Sequence, residues 1–407
     1  MHLLRYPASR SSTFRKNASV ATKLEALYLH VLAPSRDESG EKLGLGGRFT
    51  PMPDTATDLF LSLRPEKVLA AVEAAGLETR PVCYPLNSFE NRVYEVELVD
   101  RSRVIAKFYR PGRWSRAQIL DEHQFLLDVD RDEIPVGTVR EFPDGSTLQQ
   151  IENIYYSIFD RRGGRAPDEL SDQAVLRLGR LVGRLHSTGA RRQAEHRLDL
   201  TADHYIRRNL DWLALNNTVP GTFQERYFDT ANQLADIADE RMEGVETHRI
   251  HGDLHLGNVL DRDGLLTLLD FDDMLVGPAV QDFWLALPGR DEYARRQRDL
   301  FIEGYEDFRR FDRSTLKLIE PLRAMRLVRY ATWLARRWHD PAFPAAWPHF
   351  GTEEYWQSET EALEEILGFI RSDRSVEPAG TIGTVESADG EEPELTNKDY
   401  FWDWDGD

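Results

Sequence analysis

Cysteine is almost absent from this sequence, which contains only Cys83 among its 407 residues. An internal disulfide is therefore excluded, and there is no cluster of Cys and His residues of the kind that binds structural zinc. We interpret the lone thiol as a small, half-buried apolar side chain, which is how free cysteine usually behaves. This use of cysteine fits a reducing compartment, and we expect a cytoplasmic protein.

Long apolar runs and an excess of positive charge are also missing. No run approaches the roughly 18 to 20 apolar residues of a membrane span, so we expect no membrane partner. The formal net charge of −19 argues against nucleic acid or anionic membranes as partners, because both require a basic surface. The 41% of hydrophobic residues in a chain of this length is enough for two cores. We expect a two-lobed monomer.

The two ends of the sequence differ in composition from the middle. Residues 1–23 contain five Arg or Lys and no acid, and residues 35–54 are rich in Gly, Pro and charge. We expect residues 1–58 to be a poorly ordered extension, with a transit peptide as the alternative. Residues 372–407 form an acidic tail that cannot build its own core, although its aromatic cluster at 400–405 could dock onto a lobe or a partner.

The most informative segment is the run HGDLHLGN at 251–258, which is followed by LLDFDD at 268–273. Phosphoryl transfer from ATP needs a carboxylate that orients the attacking hydroxyl, and oxygen ligands for Mg²⁺. Asp253 can be that carboxylate, and Asn258 and Asp270 can be the metal ligands, so Asp253 and Asp270 are the candidate catalytic residues. Apolar flanks at 259–260 and 265–269 predict two short strands that hold the loop. The alternative is an ordinary β-hairpin with Asp and Asn in its turn.

A nucleotide-binding lobe should precede this loop. Lys107 lies in the apolar run VIAKFY at 104–109, and Glu122 lies in a predicted helix at 115–129. In kinases a strand lysine and a helix glutamate form a pair that holds the α and β phosphates of ATP. The alternatives are that Lys107 marks an edge strand, and that Asp121 is the paired acid. Both Lys107 and Glu122 are therefore candidate ATP-binding residues.

The glycine-rich phosphate loop of protein kinases is absent. The polar run LNSFENRVY at 86–94 stands in its place, between two strands. Its hydroxyl, amide and backbone N–H groups could bind phosphates, which makes Ser88 a candidate ATP contact. A serine that merely forms a turn is the alternative.

The remaining pattern predicts an α+β protein. A helix at 60–75, strands at 92–98, 103–109, 137–141 and 155–159, and the helix at 115–129 make a small lobe over 59–160. A hinge at 160–165 leads to a mostly helical lobe over 161–371, with helices that begin at Ser171 and that cover 321–338. Asp282 opens a further helix. It either accepts hydrogen bonds from the catalytic loop or is a generic acidic residue at a helix N-terminus.

Several runs together resemble the bacterial stress response kinase A family: 86–94, 107–111, 119–125, 251–258, 277–282, 320–327 and 337–344. The similarity extends from about residue 60 to about residue 366, and this family belongs to the aminoglycoside phosphotransferase and choline kinase group. The resemblance implies a two-lobed, protein-kinase-like α+β fold with a small, mainly antiparallel β lobe. It also implies ATP and Mg²⁺ as cofactors, Asp253 as the catalytic aspartate, Asn258 and Asp270 as metal ligands, and Ser88 in contact with ATP.

The acceptor is the open question. The interval between Asp270 and Asp282 has no room for the activation segment of conventional protein kinases, which favours a small hydroxyl acceptor such as choline, an aminoglycoside or homoserine. The family that the sequence resembles is regarded instead as a serine/threonine protein kinase of the stress response. We expect a protein Ser/Thr acceptor, the chain itself included. The alternatives are a small-molecule kinase and a nucleotide-binding pseudokinase that acts as an interaction module.

Charge beside the loop bears on this choice. Asp272 and Asp273 could serve a cationic acceptor. Five arginines on the late helix, at 323, 326, 329, 336 and 337, would disfavour a cation if they face the site.

Overall fold

The small lobe contains a five-stranded antiparallel sheet in the order β1-β2-β3-β5-β4. The computed structural model describes residues 59–60 and 62–372, so the predictions for both tails lie outside the described residues. The strands are β1 (Thr79–Leu86), β2 (Arg92–Leu98), β3 (Arg103–Phe108), β4 (Gln149–Ile151) and β5 (Ile154–Asp160). Helix α1 (Pro65–Glu73) packs on the sheet, and α2 (Arg116–Arg131) follows β3.

The large lobe is mostly helical. Its helices are α3 (Asp172–Gly189), α4 (Arg208–Leu215), α5 (Gly221–Met242), α6 (Val280–Ala286), α7 (Glu292–Glu306), α8 (Ile319–Arg337), α9 (Ala342–Ala346) and α10 (Glu353–Arg371), with a π-helical turn at Asp203–Arg207. Two strand pairs complete it: β6 (His248–Ile250) with β9 (Leu275–Gly277), and β7 (Val259–Arg262) with β8 (Leu265–Leu268). No helix in the described part of the chain is both long and apolar enough to cross a membrane.

Local chemistry explains where the elements begin. Ser115 caps α2 in a capping box with Gln118, and Ser171 accepts a hydrogen bond from Ala174 N at the start of α3. The helix predicted at 60–75 begins only at Pro65, because proline has no N–H to donate and suits the first helical turn.

The strand predicted at 137–141 is wrong. This segment forms a single isolated bridge, from Val139 to Phe159. The edge of β5 on which a regular strand would lie is occupied further along by β4, and Pro143 lies in a turn two residues after the segment. The segment therefore contacts β5 over too short a length to count as a strand.

The buried cores explain how the lobes are joined. One apolar cluster in the small lobe includes Val68, Val96 and Phe108, and a much larger one fills the helical lobe. The larger cluster also includes Phe125 and Leu126 of α2. Helix α2 is therefore anchored to the large lobe by burial of apolar surface, although it precedes β4 and β5 in the chain.

Helices α3 and α7 cross so closely that their backbones meet at glycines. A Cβ atom on Gly179 would lie 2.1 Å from the carbonyl oxygen of Phe301, and one on Gly304 would lie 2.2 Å from that of Leu176. No side chain can shift to relieve such a contact with backbone atoms. This crossing lies close to the loop at 251–258, because α3 also contacts β6, the strand that directly precedes this loop.

Gly179→Ala should therefore lower the free energy of unfolding by about 1–3 kcal/mol, the usual cost of overpacking a core. Gly368→Ala is the matched control, because Gly368 is an exposed glycine of α10 with nothing within 4 Å of the added Cβ. Helix propensity should make the control more stable by about 0.5–1 kcal/mol. Urea titrations of both variants give the comparison, and equal effects of the two changes would contradict this account of the crossing.

Candidate functional site

The loop at 251–258 is held in place by the carboxylate of Asp282. This fully buried side chain accepts hydrogen bonds from the backbone N–H groups of His251 and Gly252, each at 2.8 Å. His186 Nε2 lies 3.0 Å from the same carboxylate. The role predicted for Asp282, which was to accept bonds from the loop, is confirmed. A buried carboxylate with several donors fixes loop geometry because each lost bond would leave a charged group unsatisfied.

Glycine is required at the second position of the loop. Gly252 has φ +84°, and a Cβ atom there would lie 2.2 Å from the carbonyl oxygen of Asp273. His251 contacts the carbonyl oxygen of Leu269 through Nε2 at 2.7 Å, so the loop is also tied to the end of β8. His255 Nδ1 accepts a bond from Gly257 N at 3.1 Å, which makes His255 a packing group of the loop.

The hairpin β7–β8 brings Asn258 and Asp270 to the same end. Asn258 O accepts a bond from Leu269 N at 2.9 Å, and Asn258 Nδ2 donates to the backbone oxygen of Asp253 at 2.9 Å. Asp270, one residue further on, has left-handed backbone angles of φ 56° and ψ 69°. Such angles are uncommon for a residue other than glycine and persist where the surrounding structure imposes them. The Asp270 side chain is about half exposed.

The donor chemistry at this end fits magnesium. Asn258 and Asp270 offer amide and carboxylate oxygens, which are the ligands that Mg²⁺ prefers. Within residues 59–60 and 62–372 no group of three or more His, Cys, Asp or Glu side chains could hold a metal ion. Magnesium held by one or two protein oxygens and by nucleotide phosphates needs no such group.

Lys107 on β3 is surrounded by carboxylates. Its Nζ lies 3.4 Å from Glu122 Oε1, 3.2 Å from Asp270 Oδ1 and 3.1 Å from Asp272 Oδ1. Burial alone would lower the pKa of this lysine, but the three acids raise it well above its ordinary value. The ammonium is therefore charged, and the pairing of Lys107 with Glu122 agrees with the sequence. The competing acid, Asp121, instead accepts bonds from the backbone N–H groups of His196 and Arg197 at 2.6 and 3.1 Å.

Two arginines that the sequence analysis missed complete this network. Arg197 donates to Glu122 Oε2 at 2.8 Å and to the backbone oxygen of Asp272 at 2.7 Å. Arg113 pairs with Asp272 and donates to Asp273 Oδ1 at 2.7 Å. Neither arginine lies in a motif with a recognised spacing, so no signal in the sequence singled them out. Asp272 and Asp273 are thus already paired, contrary to the idea that they serve a cationic acceptor.

Asp253 is paired with an arginine from α8. Arg326 Nη1 donates to Asp253 Oδ1 at 2.7 Å, and about a quarter of each side chain is exposed. Burial would raise the pKa of Asp253, but Arg326 and His255 hold it well below its ordinary value, so the carboxylate is ionised. Arg329, one turn further on, lies 3.6 Å from Asp273 Oδ1 and over the ring of Tyr205.

The other three late-helix arginines point elsewhere. Arg323 is buried and donates to the carbonyl oxygen of Pro288, Arg336 lies over the Trp212 ring, and Arg337 contacts Glu90. Two of the five arginines therefore contact carboxylates beside the loop. They give this side of the site a mixed charge rather than the carboxylate lining that a cationic acceptor needs.

A cleft of about 800 Å³ lies beside the predicted hinge. It is lined by β1, by Gly163 and Gly164 of the hinge segment, and by the end of β7. Gly164 has φ +140°, and a Cβ atom there would lie 2.9 Å from Leu260 Cβ, so only glycine lets the hinge approach β7 this closely. Ser88 is half-buried in the loop between β1 and β2.

Comparison with known proteins agrees with this geometry. The model of the phosphotransferase enzyme family matches residues 83–319, and the chain belongs to that family. It is 39% identical over 307 residues to stress response kinase A of Escherichia coli (strain K12), a match that covers 75% of this chain and 93% of that protein. It is 41% identical over 310 residues to serine/threonine protein kinase RdoA of Salmonella typhimurium (strain LT2), with the same coverage. Within the phosphotransferases the chain is a member of the stress response kinase A family.

Solved structures confirm the predicted fold. An amicoumacin kinase in complex with AMP-PNP, Ca²⁺ and its ligand superposes with a TM-score of 0.61 at 20% identity, over 79% of this chain and 97% of that chain. A microcompartment-associated aminopropanol kinase gives a TM-score of 0.59 at 20% identity, over 75% of this chain and 98% of that chain. The α+β, two-lobed kinase-like architecture expected from the sequence is therefore correct.

One buried histidine next to Lys107 has a strongly shifted pKa. His123 contacts Tyr109 Oη at 2.9 Å and Thr147 Oγ1 at 2.8 Å, and the Lys107 ammonium lies over the Tyr109 ring. Burial, then Lys107 and Arg197, lower the pKa of His123 to about 3. The imidazole therefore stays neutral in the folded protein between pH 6.5 and about pH 3, a range in which an ordinary histidine is charged.

This shift predicts a pH dependence of stability. Below the ordinary pKa of 6.5 the unfolded chain binds a proton at His123, whereas the folded chain binds it only below about pH 3. Acid therefore lowers the free energy of unfolding. His123→Gln removes this group. The unfolding free energy of the unaltered protein, minus that of the variant, should fall by about 1.4 kcal/mol per pH unit between about pH 5.5 and 4. Denaturant titrations at several pH values measure it, and parallel curves for the two proteins would contradict it.

Proposed function

We propose that this chain is an ATP- and Mg²⁺-dependent serine/threonine protein kinase that acts in a bacterial stress response. The observation that carries the proposal is the contact of Lys107 with both Glu122 and Asp270. It brings Lys107 and Glu122 of the small lobe together with Asp270, which lies 163 positions after Lys107, and phosphoryl transfer requires such groups at one place. The names of the curated relatives support the acceptor class.

Each residue then has a definite task. Lys107 would hold the phosphates of ATP, Glu122 would orient Lys107, and Ser88 would contact the nucleotide from the β1–β2 loop. Asn258 and Asp270 would hold Mg²⁺, which when bound offsets charge on the phosphates. Asp253 would accept a hydrogen bond from the acceptor hydroxyl and orient it for attack. The low pKa of Asp253 supports this orienting role, because the carboxylate stays ionised and both of its oxygens are hydrogen-bond acceptors.

The adenine would occupy the cleft beside the hinge. That cleft lies between the sheet of the small lobe and β7, which is where a base can reach backbone groups of the segment after β5. We propose residues 59–160 as the nucleotide lobe and residues 161–371 as the catalytic lobe. The cytoplasmic location and the monomeric state remain predictions from composition.

A small-molecule kinase is the second candidate. The short interval between Asp270 and Asp282, and the amicoumacin and aminopropanol kinases that share the fold, favour it. The pairing of Asp272 and Asp273 with Arg113 weighs against a cationic acceptor, since it leaves less negative charge for one. A pseudokinase is the least supported alternative, because the candidate groups for the metal, the phosphates and the hydroxyl are all present.

Substitutions of the two aspartates should have different effects. Asp253→Ala and Asp270→Ala should each reduce phosphate transfer by a factor of about 10³ or more, as expected for groups that act as one unit. Only Asp270→Ala should weaken the Mg²⁺-dependent binding of ATP, measured by calorimetry with and without magnesium. Lys107→Ala should raise the KM for ATP while the fold is retained. An Asp253→Ala protein with normal activity would remove its assignment.

A radiolabelled-ATP assay should identify the acceptor class. The purified chain is incubated with Mg²⁺ and ATP in three reactions: with generic protein substrates, with a panel of small alcohols that includes choline and aminoglycosides, and without any acceptor. We expect phosphate on Ser or Thr of the chain itself or of a generic protein, identified by mass spectrometry. The Asp253→Ala protein is the control for contaminating kinases. Turnover of a small alcohol with no phosphorylated Ser or Thr would contradict the protein-kinase proposal and would show that the chain is a small-molecule kinase.

A further inference from the structure

Two sequence runs contact each other between the two lobes. Both have little part in the proposed mechanism. One is the β1–β2 loop with Phe89 and Glu90, and the other lies at the end of α8 and the turn that follows it. Glu90 Oε2 accepts a bond from Trp333 Nε1 at 2.6 Å, and Arg337 Nη2 donates to Glu90 Oε1 at 2.7 Å. Arg337 Nε lies 3.2 Å from Oε2, so the guanidinium contacts both carboxylate oxygens. This bidentate geometry is the strong form of the interaction.

A second ion pair lies beside the first. Arg110, at the end of β3, donates to Asp340 Oδ2 at 2.8 Å, and both side chains are buried. The same guanidinium donates to the backbone oxygens of Glu90 at 2.9 Å and Phe89 at 3.2 Å. Arg110 therefore connects the backbone of the β1–β2 loop to the carboxylate that follows α8.

Apolar contact reinforces these bonds. The Phe89 ring lies 4.6 Å from that of Trp347 and 6.0 Å from that of Phe343, measured between centroids. Phe89 thereby packs against the apolar core of the large lobe, although it lies in a loop of the small lobe. The loop that carries Ser88 is thus fixed to the large lobe by two ion pairs and an aromatic cluster.

We propose that these contacts form a clasp that closes the loop over the nucleotide and limits the rate at which nucleotide leaves. The clasp consists of Phe89, Glu90, Arg110, Arg337 and Asp340. Glu90 is its positioning residue, because it acts through the loop and not on the reacting atoms. The inference rests on the proposed function in one respect, which is that nucleotide binds beneath the β1–β2 loop.

The physical reason is the position of the β1–β2 loop between the two lobes. A loop that is attached only to the small-lobe sheet can lift with little cost, as surface loops generally do. Here lifting it would expose Phe89 and separate Glu90 from Arg337, and only 11% and 19% of these two side chains is now exposed to solvent. Burial raises the pKa of Glu90, but Arg113 and Arg337 hold it below its ordinary value, so the carboxylate is charged. Opening the clasp therefore requires that charged, largely desolvated groups separate.

The test is the dissociation rate of a fluorescent ADP analogue with Mg²⁺, followed by stopped flow on the full chain. Glu90→Gln and Arg337→Gln should each raise the rate by about tenfold, the factor that corresponds to one lost charge-assisted hydrogen bond. The double variant should be no faster than the faster single variant, because both changes break the same contact. Phe89→Leu, which keeps an apolar side chain, should raise the rate less than Glu90→Gln.

Glu364→Gln is the matched control. Glu364 pairs with Arg226 through two bonds of 2.9 and 2.7 Å on the surface of the large lobe, in a contact between α5 and α10. The Glu364→Gln substitution removes the same charge from the same kind of ion pair, and it should leave the dissociation rate of the nucleotide unchanged. Thermal unfolding of every variant with and without nucleotide separates loss of the clasp from loss of the fold.

The outcomes distinguish the clasp from the function on which it rests. Unchanged dissociation rates in Glu90→Gln and Arg337→Gln, together with normal nucleotide binding, would overturn the clasp and leave the kinase proposal intact. Additive effects in the double variant would also overturn it, because independent effects are incompatible with one shared contact. Failure of the unaltered chain to bind the nucleotide at all would overturn both proposals.

Discussion

The buried ammonium of Lys107 is the constraint on which the rest of this site depends. A lysine that is almost completely desolvated remains charged only if carboxylates surround it, and it therefore gathers Glu122 from α2 together with Asp270 and Asp272 from the segment after β8. Those acids in turn need cations, which Arg197 and Arg113 supply. One buried charge thus organises a network that connects β3, α2 and the β7–β8 hairpin, and removing one member would take a counter-charge from each of its partners.

Much of the fold could be predicted because its signals are local. Helix caps, strand periodicity and the glycines of the 251–258 loop depend on residues close together in the chain, and the structure confirms most of the elements they indicated. The pattern at 137–141 predicts a strand where the structure has one isolated bridge, because β propensity does not reveal which edge of a sheet is already occupied. The predicted start of α1, at residue 60, is too early, because the periodic pattern does not reveal that Pro65 forms the first turn of this helix.

The candidate site was predictable only where a motif has a fixed spacing. Asp253, Asn258, Asp270 and Lys107 stand in recognisable runs, whereas Arg197 stands in none, and Arg326 stands out in the sequence only as one of five arginines on the late helix. The partners of Arg197 and Arg326 lie 75 and 73 positions away in the chain. Nothing in the sequence indicates which residues at such separations will form a pair. Glu90 and Arg337 do lie in runs that the sequence singles out, but their pairing across 247 positions is not indicated by either run. Long-range ion pairs are set by the tertiary fold and become visible only when the fold is known.

Helix α8 gives these separate observations a common basis. Arg326 and Arg329 point from it towards Asp253 and Asp273, and Trp333 and Arg337 point from the next turns of the same helix towards Glu90. These positions recur at three or four residues and therefore lie along one side of the helix. Helix α8 thus contacts Asp253 and Asp273 at one end of this row and the β1–β2 loop at the other. On the proposed function the acceptor and the nucleotide would both lie against this helix, so a displacement of α8 at one end would act on the other.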